Sequence, residues 1–186
     1  MRTLRFASCM TLVLLAATAT ATASVAPVPR RPVSLQSYSD LYARIVADRG
    51  LGDPYDKSLL RRLQSHSSVE RFRDGSGNPI AVVKVELLNK DGTSSTRSEY
   101  GNYPFYVVRE IPNGLLLMGE MFGSAYRSAF SGGKLEFHVD LHPTATRTVK
   151  MRFRVEDNSL VNLTPQGHSE YMYIATPELP RSRARH

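Results

Sequence analysis

Residues 134–156 read KLEFHVDLHPTATRTVKMRFRVE, and the alternation in this stretch decides the fold class. Leu135, Phe137, Val139 and Leu141 alternate with Glu136, His138, Asp140 and His142. Val149, Met151, Phe153 and Val155 alternate in the same way with Lys150, Arg152, Arg154 and Glu156. A period of two means strands with one apolar and one polar face. Residues directly opposite in an antiparallel pair share a face. Setting His142 opposite Thr148 brings Asp140 to Lys150, Glu136 to Arg154 and Lys134 to Glu156, and gathers the apolar pairs on the other face. A shift of two residues sets Lys134 against Arg154, and a slip of one buries charge. One hairpin register therefore satisfies both packing and charge, with the ion pairs expected on an exposed face.

The same period extends toward the N-terminus. Residues 69–74 and 80–88 flank a Gly/Asn/Pro turn, and residues 103–111 and 115–122 flank Pro112-Asn113-Gly114, so each pair reads as a hairpin. Residues 123–133 read as a looser connection, and residues 160–163 and 170–175 as short strands. Before residue 69 the period is helical. Leu35, Tyr38, Leu41, Tyr42, Ile45 and Val46 define a first helix that stops at Gly50. Asp53-Pro54 resembles an N-cap with a first-turn proline, and Leu59, Leu60 and Leu63 give a second helix its stripe. The expected fold is α+β: two N-terminal helices packed on a twisted antiparallel meander of about six to eight strands, curled into a half-barrel or closed as a sandwich.

The chain ends differ from its middle. Arg2 and Arg5, the run Leu12-Val13-Leu14-Leu15-Ala16-Ala17 and Ala21-Thr22-Ala23 follow the order of a secretory signal peptide, residues 1–23. The apolar run is too short for a membrane anchor, and no later segment is long enough to span. Residues 24–33, with Pro27, Pro29 and Pro32, read as an extended linker, residues 34–176 as one globular domain, and residues 177–186 as a basic tail. The only cysteine, Cys9, lies within the signal segment, so the mature chain has no disulfide, thiol nucleophile or Cys-ligated metal. That economy points to a bacterial envelope or secreted space. The 24 Lys and Arg, less the two in the signal segment, exceed the 17 Asp and Glu by five. Five arginines sit at the two ends: Arg30, Arg31, Arg181, Arg183 and Arg185. The folded middle is near neutral, which argues against a nucleic-acid partner. An envelope protein, an anionic envelope polymer or a lipid is the expected partner class, and the sequence leaves the oligomeric state open.

No catalytic motif stands out. His138-x-Asp140-x-His142 shares one strand face, but Lys150, Arg152 and Arg154 stand opposite and repel a cation, so no metal is expected there. Asp74-Gly75-Ser76-Gly77-Asn78 starts like a calcium loop, but Pro79 and Val85 occupy the positions that need Gly and Glu, and a hairpin turn explains it better. There is no nucleophile elbow and no phosphate loop, and neither catalytic residues nor a cofactor are expected. The one aromatic-basic concentration supplies the candidate ligand-binding residues: Tyr100, Tyr103, Tyr106, Arg109, Tyr126 and Arg127. Aromatic side chains are also ordinary core residues of strands, and a strand apolar on both faces is central or lines a cavity. No stretch matches a family motif. The layout of two helices before a meander is shared by several unrelated exported families, half-barrel lipid carriers of the envelope among them, and is a likeness of layout alone. The function expected is an exported, non-enzymatic binding domain. The alternatives are a carrier of an apolar ligand inside a curled sheet, with Val83, Val107, Leu117 and Met121 lining its cavity, and an enzyme of unknown class.

Overall fold

A computed structural model describes residues 32–164. The signal segment, most of the linker, the strand expected at 170–175 and the basic tail lie outside the described residues. Among the described residues are two helices and nine strands, in the order β1 (Val33–Leu35), α1 (Tyr38–Asp48), α2 (Lys57–His66), β2 (Ser68–Arg73), β3 (Pro79–Lys84), β4 (Tyr103–Ile111), β5 (Gly114–Gly123), β6 (Ala125–Ser131), β7 (Lys134–Thr144), β8 (Arg147–Glu156) and β9 (Ser159–Asn162). The strands form two antiparallel sheets, a five-stranded one ordered β1-β5-β4-β3-β2 and a four-stranded one ordered β6-β7-β8-β9. This is an α+β protein with more strands among the described residues than the six to eight expected, and with two sheets that share a core, as in the sandwich alternative, rather than one curled sheet.

Side-chain alternation divides the interior into two cores. Ile80, Val82, Phe105, Val107 and Met121 of the larger sheet form one buried cluster with Phe137, Val139, Met151 and Phe153 of the smaller. Ala81, Val83, Tyr106 and Val108, one residue out of phase, form a second cluster with Leu41, Tyr42, Ile45 and Val46 of α1 and Leu63 of α2. β3 and β4 are therefore apolar on both faces because both faces are covered. Val83 and Val107 belong to different clusters, so the residues named above for a carrier cavity do not line one space.

Each helix is set by a cap. Ser37 and Asp40 form a capping box at the start of α1: the Ser37 hydroxyl accepts from the Asp40 N–H, and the Asp40 carboxylate accepts from the Ser37 N–H at 3.0 Å. Leu35, expected at the start of this helix, instead extends β1 and pairs with Leu115. The cap of α2 is Asp56, whose carboxylate accepts from the N–H groups of Ser58 at 2.8 Å and Leu59 at 3.3 Å. Asp53 starts a turn instead, its carbonyl accepting from the Asp56 N–H at 3.1 Å. A proline one residue after an aspartate suits either role, and only the second aspartate is placed to meet the helix donors.

The hairpin of β7 and β8 has Glu136 opposite Arg154, His138 opposite Arg152 and Asp140 opposite Lys150. The register reasoned from charge and packing is thus the one observed up to Leu141, which faces Val149. It shifts between Leu141 and Thr144, so His142 does not face Thr148. Residues 125–131, expected as part of a loose connection, are strand β6. Only Ser124 separates β5 from β6, and there the chain leaves one sheet for the other. A methyl group on Gly123 would overlap Val139 Cγ1 and the Asp140 carbonyl, so this crossing requires the missing side chain.

Candidate functional site

The six residues singled out from the sequence are dispersed. Tyr106 is 4% exposed under α1, where Arg49 Nε donates to its hydroxyl at 2.9 Å and the Arg49 guanidinium also pairs with Glu120. Burial raises the Tyr106 phenol above its ordinary value, and the Glu120 charge adds to that rise. Tyr126 lies at the sheet-to-sheet core, edge-on to Phe105 at 5.0 Å, Phe137 at 5.7 Å and Phe72 at 6.4 Å, with its hydroxyl donated to Glu70. Its phenol is raised as well, first by burial and then by that bond. Tyr103 is flanked by cations: Lys84 Nζ stands 3.8 Å from the ring centroid and the Arg97 guanidinium 5.4 Å. Tyr100 and Arg127 are exposed, Tyr100 in the loop before β4 and Arg127 on β6 opposite His138. No common surface holds all six, and Tyr106 offers none.

Arg109 belongs to a different constellation. Three hairpin turns converge at one end of the sheets: β2 to β3, β6 to β7 and β8 to β9. The first and second touch so closely that a methyl group on Gly75 would overlap the Gly133 carbonyl. Between the turns lies a cleft of about 330 Å³, with Asp74, Arg109, Lys134, Glu156, Asp157 and Asn158 among its walls. Asp74 is held as an Asx turn. It accepts from the N–H groups of Ser76 and Asn78, each at 2.9 Å, and from the Asn78 amide at 3.0 Å. Arg109 pairs with the same carboxylate at 2.9 Å and donates to the carbonyl of Asp157 in the β8–β9 turn. It thereby ties the larger sheet to the smaller. Burial alone would raise the Asp74 carboxyl, but the bonds from Asn78 and Ser76 and the Arg109 charge outweigh it and hold the group below its ordinary value. Arg109 Nε is buried and has no hydrogen-bond partner within the protein. Lys134 and Glu156 pair across the mouth at 3.3 Å.

The other constellations are accounted for by structure. His138 lies 3.6 Å from Glu136, Asp140 is bonded to Lys150 at 2.7 Å, and His142 Nε2 is 3.5 Å from Ser124 Oγ, so the three residues of the His-x-Asp-x-His stretch face different partners. Among the described residues no group of three or more His, Cys, Asp or Glu is arranged to hold a metal ion. No helix among them is long and apolar enough to cross a membrane. Sequence reasoning found Arg109, the Asp74–Asn78 turn and the Lys134–Glu156 pair, and missed that they meet in one cleft. The three turns that build it are far apart in the chain, and no local pattern says that they converge. Compared with known proteins, the chain matches no family model, no curated protein and no solved structure.

Proposed function

We propose that this chain is an exported, non-enzymatic binding domain whose recognition site is the polar cleft around Arg109, and that its ligand is polar rather than an acyl chain. The cleft carries the reading: side chains of both charge signs line it where three turns from separate hairpins meet. Asn158 and the Lys134–Glu156 pair on its walls offer a polar ligand donors and acceptors. Val83 lies in one buried cluster, with Leu117 packed against it, and Val107 and Met121 lie in the other, which argues against a single lipid-sized space lined by all four. Export is supported by the order of basic, apolar and small residues in positions 1–23, and a protein beginning at Ser24 by intact mass from the native host is the expected result.

Amide chemical shifts report the site directly. Titrating the protein with a neutral oligosaccharide, a dipeptide and a fatty acid should move the amides of Gly75, Gly133 and Asp157 with one of the polar probes. Arg109→Lys should remove that response. Shifts produced by the fatty acid around Val107 and Met121, with the cleft unmoved, would favour the carrier instead.

A further inference from the structure

We infer that β6 is a self-association edge, at which a second copy of this chain adds its own β6 antiparallel and joins two four-stranded sheets into one of eight strands. The four sheet edges are not equally protected. β1 has only three residues. β2 carries Glu70, Arg71 and Arg73 within six residues. β9 has four residues, and beyond it the Leu163 N–H still bonds the Arg152 carbonyl of β8. Short length and charge are the usual guards of an open edge. β6 has neither guard. It is seven residues long, AYRSAFS, with one charge, no proline and no glycine, and among the described residues it pairs only with β7. Phe130 on this strand is 63% exposed.

The sequence of β6 fits itself in one register. A two-fold axis at Ser128 pairs all seven residues and sets Tyr126 opposite Phe130 of the second copy, Arg127 opposite Ala129 and Ser128 opposite Ser128. Two aromatic cross-strand pairs form, and the single charge avoids its own copy. An axis at Arg127 would oppose the two guanidiniums. On the polar face, Arg127 of one copy would face Ala129 of the other, whose neighbour on β7 is Glu136. On the opposite face, Phe130 of each copy would cover the flank of Tyr126, whose ring is already fixed against Phe105 and Phe137.

Sedimentation equilibrium of the chain should show a concentration-dependent dimer, and hydrogen exchange should show protection of residues 125–131 rising with concentration. Ser128→Lys and Ser128→Glu, at an exposed position, should each weaken the dimer several-fold, because like charges then meet on the axis. An equimolar mixture of the two variants should restore association as a heterodimer, read by native mass spectrometry. Far-UV circular dichroism establishes that both variants fold. If either variant fails to fold, the concentration dependence of exchange in the unaltered chain decides alone. A monomer up to about 1 mM, variants that dimerise as well as the unaltered chain, or a mixture without heterodimer would each overturn the proposal.

Discussion

Glu136 and Asp140 stand four residues apart on the same face of β7, each opposite a cation on β8, yet they sit in different surroundings. Glu136 is 1% exposed at its side chain and accepts from Arg154 Nε at 2.8 Å and Arg152 Nη2 at 2.9 Å, with a second bond from Arg154 at 2.6 Å. Asp140 is 31% exposed and meets Lys150 at 2.7 Å, while the Lys150 side chain is itself 66% exposed. Pairing register is therefore not what separates them. Two guanidiniums, planar and long, lie over Glu136 and are its cover, while an ammonium on a flexible stem touches Asp140 and leaves it in water. A sheet face on which no layer of the described residues packs can still bury a carboxylate if its neighbours are arginines.

The largest expected effect comes from the opposite face of the same strand. Phe137, between the two carboxylates in sequence, is fully buried and meets Phe72 at 5.5 Å and Tyr126 at 5.7 Å. Phe137→Ala should cost about 3–5 kcal/mol, through lost transfer energy and the cavity left behind. Urea denaturation gives this value directly. A cost below that of Glu136→Ala would mean that the charged face, and not the core, holds this hairpin in place.

Glu136→Ala should come second, at about 1–3 kcal/mol, because it removes three charge-assisted bonds but leaves both arginines free to turn toward water. The pH dependence sharpens the contrast. Bonds from Arg152 and Arg154 outweigh burial and hold the Glu136 carboxyl below its ordinary 4.5. A carboxyl depressed in the folded state contributes stability that is fully present above its unfolded value and is lost as pH falls through the folded one. The advantage of the unaltered chain over Glu136→Gln should therefore be constant near neutrality and shrink below about pH 4.5. Denaturation midpoints of the two proteins across that range check it. An advantage that grows on acidification would contradict the sign.

These residues also show what was legible beforehand. Alternation over residues 134–156 gave the strands, the partners and the register up to Leu141, because one face of that hairpin is polar and the other apolar and the pattern is clean. It did not give the burial of Glu136, since opposition in a register says nothing about how neighbouring side chains drape. β4 announced itself as apolar on both faces, but the choice between core and ligand surface for Tyr106 depended on α1, whose position no local pattern encodes. β6 left almost no trace. Ala125, Ser128, Ala129 and Ser131 are small, and an edge strand partly uncovered on its inner face needs no regular apolar residues. Arg109 was visible as a candidate, while its cleft was not, because three turns from separate hairpins build it.

The smallest expected effect is the most direct test of the opening contrast. Asp140 and Lys150 share the register, the strands and the charge signs of Glu136 and Arg154, so a double-mutant cycle through Asp140→Ala and Lys150→Ala isolates the pair from everything except exposure. Both side chains keep water contact, at 31% and 66%, and the lysine loses rotamer freedom by holding the bond. The coupling should be about 0.5 kcal/mol or less, and it should vanish in about 1 M salt, where screening extends to a few ångströms. A cycle through Glu136 and Arg154 in the same buffer should give a larger coupling that persists in salt, because one partner there is buried. Equal couplings at the two sites would mean that register alone sets the strength of these pairs, and that the arginine cover over Glu136 contributes nothing.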